Sequence, residues 1–136
     1  MRPGALVWFA AASAIAVGSC NRAARCATCG MKVDPASGWV SYVTVAAGEL
    51  AFDTPRCAFT AWRRAASGAK SARFREYYSQ ELKPADGLRF VEGSDVVGPM
   101  GPDLVPVTAI NAGRFARDHN GANPKTIEQV LAESPP

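Results

Sequence analysis

At 136 residues, with 48% hydrophobic and 20% charged residues, the chain is sized and composed for one small globular domain, and nothing in its composition marks a second. Fifteen lysines and arginines against twelve acids leave a formal charge of +3. The basic residues are scattered, with only short groupings such as Arg63 and Arg64, so no aromatic-interleaved basic stripe exists to track a phosphate backbone, and nucleic acid is excluded as a partner.

The chain begins with a leader. Arg2 supplies a minimal positive start, Ala5 to Val17 is uncharged and apolar, and the run is too short to span a bilayer comfortably, which reads as a secretory signal. Its end, "VGSC", places Val17 three positions before Cys20 with Gly18 and Ser19 between. That pattern resembles the lipobox of bacterial lipoproteins, in which the cysteine is lipidated and becomes the first mature residue; a plain signal peptide cut nearby is the alternative. The expected organisation is a leader over residues 1–19, lipidated Cys20 with a short polar tether through residue 25, and one domain over residues 26–136. Export to an oxidising compartment changes the meaning of the cysteines. With Cys20 carrying lipid, Cys26, Cys29 and Cys57 remain, an odd number, so one sulfur stays free, bonds outside the chain or ligates a metal.

Beyond the tether, "CATCGM" (Cys26 to Met31) precedes Gly38, which breaks the chain before the β-branched and aromatic run Trp39 to Val45. "AAGE" separates that run from Leu50 to Asp53, predicting a hairpin. A helix is predicted from Pro55 to Ser67, with Asp53 or Thr54 as cap, Pro55 in the first turn, and Phe59, Trp62 and Ala66 on one face. Gly68 ends it. "ARFREYYSQE" reads as a strand built on Phe74, Tyr77 and Tyr78. The second half repeats the order: a strand over Leu88 to Ser94, a turn in "GPMGPD", a short strand in "LVPV", and a helix over Ala109 to His119 with Ile110, Ala112 and Phe115 inward and Asn120 and Gly121 at its end. "KTIEQVLAES" reads as a last helix or, second, a strand. Strand, strand, helix, strand, twice over, makes an α+β fold of two ββαβ-like units.

The chemistry concentrates in "CATCGM". Residues two apart in an extended segment share a face, so Cys29 and Met31 can aim both sulfurs at one ion, with Cys26 one turn back and Gly30 leaving the approach open. Thiolate with thioether is a soft donor set, and softness selects Cu(I) over zinc, magnesium or calcium. A structural zinc site asks for four N or S donors, and the chain shows one C-x-x-C and a single distant histidine, His119. Two other readings stand beside copper. The Cys26/Cys29 pair can be a redox dithiol, although such pairs usually open a helix after a strand, or a structural disulfide.

"CATCGM", "FDTPRCAFTAW", "VEGSDVVGPMGPDLVPV" and "AGRFARDHNG" occur here in the order seen in the NosL family of copper-binding lipoproteins accessory to nitrous oxide reductase, which the chain resembles up to about Gly121. The resemblance implies a periplasm-facing, outer-membrane-anchored protein that binds one Cu(I). It takes the ion from a copper-donating partner and passes it to apo nitrous oxide reductase or another copper client. It also implies two strand-strand-helix-strand units similar to part of the alkylmercury lyase fold. The family's "C-G-M" ligands fall on Cys29 and Met31, with Cys26 as partner or reserve donor. After Gly121, "ANPKTIEQVL" lacks the hydrophobic strand that usually closes family members, and "VPV" stands where an aromatic often follows the proline.

Three further residues carry two readings each. Met100 can close over the ion as another thioether or simply pack. Cys57, early in a helix, can ionise at the helix N-terminus or lie buried beside Phe59. His119, near a helix C-terminus, is a dipole-favoured surface residue or a ligand. Arg63, Arg64, Glu76 and Asp95 read as solvated faces. No Ser-His-Asp set and no pairing of acids marks a catalytic centre, so the expectation is metal transfer and not catalysis.

Overall fold

The structure is a computed structural model describing residues 23–65 and 68–133. The expected leader, Cys20 and the end of the first helix at Ser67 lie outside the described residues. Ala24 and Arg25, expected in the tether, instead begin the fold: Val33 donates its N–H to the Ala24 carbonyl at 2.8 Å, and Arg25 pairs antiparallel with Lys32.

The first layer is a four-stranded antiparallel sheet of β1 (Ser41–Val45), β2 (Gly48–Phe52), β3 (Ser71–Arg75) and β4 (Leu82–Pro84), in the order β2-β1-β3-β4. Ser41 and Val43 of β1 point inward while Tyr42 lies on the opposite face, where the Arg73 guanidinium sits 5.3 Å from its ring centroid. Ala46 and Ala47 make a two-residue turn into β2, and Gly48 takes a φ of +131° there. Helix α1 (Pro55–Arg64) crosses back over this sheet. Thr54 caps it by accepting the Cys57 N–H, Pro55 opens the first turn, and Arg63 and Arg64 lie in the last, where they favour the helix dipole.

The second unit is built on β5 (Leu88–Val91) and β8 (Val105–Thr108), antiparallel, with the small hairpin β6 (Val97–Gly98) and β7 (Gly101–Pro102) between them in sequence. Helix α2 (Ala109–Asp118) packs on this pair. Lys125 then bridges Phe90 on the other side of β5, with both N–H groups bonded to the partner's carbonyl at 2.9 and 3.0 Å. The spatial order is therefore the same as β2-β1-β3 in the first unit, and the closing strand is reduced to one bridge. The chain continues into α3 (Ile127–Ala132), where Thr126 and Gln129 form a reciprocal capping box. The α+β class and the repeated strand-strand-helix order hold, and "KTIEQVLAES" is a helix. No helix among the described residues is long and apolar enough to cross a membrane.

The two units meet through Phe59 of α1, Phe74 of β3 and Phe90 of β5, whose ring centroids lie 4.9–5.1 Å apart, each ring fully buried. A second cluster, Val91, Val105, Val107, Ala112 and Phe115, fills the space under α2.

Several expectations are corrected. The strand expected from Trp39 starts at Ser41, because Trp39 belongs to a turn bonded to the Ser37 hydroxyl. Helix α1 stops at Arg64, where Ala65 turns extended. Strand β3 ends at Arg75; Tyr77 and Tyr78 sit in the following turn, and the Tyr77 N–H reaches the Pro106 carbonyl at 2.9 Å, tying the two units together. The strand expected to Ser94 ends at Val91. Ile110 is 89% exposed, not inward, because Ala112, Phe115 and Ala116, spaced three and four apart, already form the face that meets the sheet. Glu76 is not on a solvated face: it is buried, accepting the Ser79 N–H at 2.6 Å and the Thr108 N–H at 3.4 Å. Arg63 donates to the Val130 carbonyl and holds α3 against α1.

Candidate metal centre

The segment from Cys26 to Met31 is a tight turn between the bridged residues Arg25 and Lys32. Cys26 donates its N–H to the Met31 carbonyl at 2.8 Å, and Gly30 donates to the Cys26 carbonyl at 2.9 Å. Gly30 holds a φ of +79°, which a side chain would strain, and Arg25 donates to its carbonyl at 3.0 Å. Two bonds fasten the turn to its surroundings. The Thr28 hydroxyl donates to the Cys57 carbonyl at 2.8 Å, and the Ala27 N–H reaches the Ala51 carbonyl at 3.3 Å. The turn therefore rides on α1 and on the end of β2.

That placement gathers three cysteines and one acid. The sulfurs of Cys26, Cys29 and Cys57 and a carboxylate oxygen of Asp53 all lie within 4.8 Å of one another. Each comes from a different piece of backbone logic. Cys26 opens the turn and Cys29 lies in it, Asp53 directly follows β2, and Cys57 is the third residue of α1, where Thr54 takes its N–H at 3.3 Å. Cys26 is 3% exposed and Cys57 6%, while Cys29 is exposed; all three are free thiols.

Charge and protons divide unequally. Burial pushes the Cys57 thiol far up, and the nearby Cys26 and Asp53 add to this against the hydrogen bond to Thr54. Cys29 is also raised, by burial first and by Cys26 and Asp53, with the Met31 N–H and Cys57 opposing. Asp53 goes the other way: burial works against its charge, but the thiols of Cys26, Cys29 and Cys57 around it prevail and hold its carboxyl below the usual value. The surroundings therefore favour the charged form of Asp53 and the protonated form of Cys29 and Cys57. The Cys29 sulfur donates to Asp53 Oδ1 at 3.4 Å, and Asp53 Oδ2 is buried with no hydrogen-bond partner.

The sequence-expected residues are distributed as follows. Cys26 and Cys29 are in the cluster. Met31 is 44% exposed, with its backbone against the Cys26 N–H and the Cys29 sulfur. Strand alternation is not what relates Cys29 to Met31, because Cys29 lies in the turn and Gly30 reverses the backbone. Cys57 is buried, as one of its two readings had it, and is also a member of the cluster. Met100 tops the β6–β7 turn, 57% exposed, on a hairpin linked to α1 by Asp103, whose Oδ1 accepts the Arg56 N–H at 2.9 Å. His119 stands outside the grouped ligand atoms: its Nδ1 lies 2.9 Å from Asp95 Oδ1 and its ring 4.5 Å from that of Phe115, on the second core. Asp53 was missed. In "FDT" it stands beside Thr54 as a second residue able to cap, and nothing local tells that role from a place among the cysteines.

Four donors with soft sulfur in the majority, one of them open to solvent, can bind and release a thiophilic cation. No curated protein sequence matches the chain. The fold is similar to a solved structure described as the copper chaperone NosL from Shewanella denitrificans, at 16% identity over 79% of this chain and 90% of that one, with a TM-score of 0.69. A family model, NosL, matches residues 16–134. The match covers the whole of the described fold, and the chain belongs to the NosL family.

Proposed function

We propose that this protein is a copper carrier that binds Cu(I) at Cys29 and Met31, with Cys26 as third donor, and transfers it to a client without catalysing a reaction. The observation that carries this reading is the thiol cluster itself, whose Cys29 is exposed beside an exposed Met31 while its other cysteines are buried. Family membership supports it. Exposed sulfurs can be displaced one at a time by an incoming ligand, so the ion passes between proteins without entering solution. The client is apo nitrous oxide reductase or another copper enzyme, supplied through a separate copper donor. The protein faces the periplasm and is held at the outer membrane by lipid on Cys20.

A dithiol oxidoreductase is the second reading. Its thiols are present and free, but Cys29 sits in a turn between bridged residues and not at the start of a helix, where a dipole would stabilise a reactive thiolate. Cuprous titration of the reduced full chain against a competing chromophoric chelator decides. One Cu(I) per chain is expected, lost when Cys29→Ser is combined with Met31→Ala. A chain that takes up no Cu(I), or whose uptake survives both substitutions, overturns the proposal.

A further inference from the structure

The turn that presents Cys29 and Met31 has a second side. Ala27 and Thr28, the residues between the two cysteines, wall a groove of about 390 Å³ that runs past Val45 and Leu50 to Ala61 and Arg64 of α1. Apart from Thr28 and Arg64 its lining is aliphatic. Small side chains make the hollow, since Ala27 and Ala61 stand where larger ones would fill it. Ligand sites span ~300–1,000 Å³, so this one has room for an anchoring side chain. Leu50, 38% exposed, is left without cover. The unengaged charge around the groove has one sign. Arg56 and Arg64 are exposed near either end of α1, and Arg25 and Lys32 are exposed side by side at the base of the turn. Among the described residues none of the four enters an ion pair. The nearby acids are engaged elsewhere: Asp53 is buried, Glu49 meets Arg73 at 2.8 Å, and Asp34 accepts the Ala36 N–H at 2.9 Å.

We propose, resting on the reading of the turn as a copper carrier, that this groove is where the copper-exchanging partner docks, through a segment that sets an apolar side chain against Leu50 and carboxylates against Arg64, Arg25 and Lys32. An apolar centre inside a charged rim divides the work of recognition. The buried anchor holds the pair together, while the rim charges speed encounter and fix orientation. The same rim turns basic partners away, because like charges would have to meet across it. Ala27 and Thr28 belong both to the groove wall and to the metal turn, so a segment seated there brings its own donor atoms beside Cys29 and Met31. The wall is also fixed in advance. Thr28 is bonded to the Cys57 carbonyl and Ala27 to that of Ala51, so docking orders little that is not already ordered.

The probe is a capped peptide, Asp-Glu-Leu-Phe-Asp-Glu, with two controls, one carrying lysines in place of its acids and one carrying alanines in place of Leu-Phe. Added to the reduced, metal-free, isotope-labelled full chain, it should saturate at millimolar concentration and move the amide resonances of Ala27, Thr28, Leu50 and Arg64, while both controls leave them in place. Raising the ionic strength from about 0.01 M to about 1 M shortens screening from ~30 Å to ~3 Å and should weaken the peptide about tenfold. Arg64→Glu should weaken it about tenfold or more by setting like charges together, with Cu(I) uptake in chelator competition within about twofold of native. Leu50→Ser should abolish saturation. With one cysteine added to each peptide, Cu(I) leaves Cys29 and Met31 for the peptide thiolate, whose thiol proton passes to Cys29; the acidic peptide should draw the ion about tenfold faster than the lysine peptide. Absence of saturation, shifts confined to other surfaces, an equal response to the lysine peptide, or equal transfer rates overturn the docking face. If Leu50→Ser fails to fold by circular dichroism, the exposed Arg64 decides: a peptide affinity unchanged by Arg64→Glu overturns it. Cu(I) uptake with no docking leaves the carrier standing without this face; docking without Cu(I) uptake removes the carrier, and with it the copper-exchanging partner.

Discussion

At Cys57 two forces meet: Thr54 offers its sulfur's backbone a cap, and burial beside Cys26 and Asp53 keeps its proton on. Cys29 feels the same neighbours but reaches solvent. Limiting iodoacetamide on the native metal-free chain should therefore label Cys29 first, with Cys26 and Cys57 modified only on unfolding, and bound Cu(I) should protect Cys29; peptide mass spectrometry reads the order. Because the Cys29 thiol is raised, Cu(I) must displace its proton, and Cu(I) affinity should climb with pH by about one decade per unit for each proton released, measured by competition titration. Gly30→Ala meets open space yet forces an L-residue to a φ of +79°, and should cost about 1 kcal/mol in urea unfolding through backbone strain alone. The residues of "CATCGM" were legible because their sulfurs crowd six positions. Asp53 was not, since nothing along the chain tells a capping aspartate from one turned toward thiols contributed by distant segments.

Elements differ in how far local chemistry specifies them. Helix α1 was readable at its start, where Thr54 and Pro55 make a complete opening, and misread at its end, where Ala65 leaves the helix without any sequence signal. Thr54→Val keeps the shape and deletes the acceptor for the Cys57 N–H; about 1 kcal/mol of stability should go, and Thr54→Ser should restore it. Helix α2 ends in a Schellman arrangement, with Asn120 at a φ of +52° and the Gly121 N–H on the Ala116 carbonyl at 2.8 Å. A methyl at Gly121 would stand 2.4 Å from Val91 Cγ1, so Gly121→Ala should cost about 1–3 kcal/mol by thermal or urea unfolding, a price set by β5 and not by the helix. The same dependence on a neighbour explains Ile110, whose apolar side chain is left outside because the sheet meets the opposite face of α2.

Across the whole molecule the two units are joined by the Phe59, Phe74 and Phe90 rings, by the Tyr77 bond to β8, and by Glu76, which accepts the Thr108 N–H at the end of β8. Phe90→Ala should cost about 3–5 kcal/mol in equilibrium unfolding, the range for removing a buried ring. Burial works against the charge of Glu76, but the N–H groups of Ser79, Tyr78 and Thr108 outweigh it and hold its carboxyl below 4.5. Its folded value lies under its unfolded one, so its contribution is complete above about pH 4.5 and fades as the pH falls through the folded value; Glu76→Gln should flatten that acid limb in urea denaturation. The sequence by itself determined the class of elements, their order, most helix starts and the sulfur-rich turn, because periodicity, caps and crowding of donors act over a few residues. Only the tertiary structure decided that β1, β3 and β4 lie side by side, that the closing strand of the second unit shrinks to the Lys125 bridge, that Glu76 is buried, and that Asp53 and Cys57 join Cys26 and Cys29. Each of those depends on which surfaces meet when distant segments pack, and no local pattern encodes a meeting.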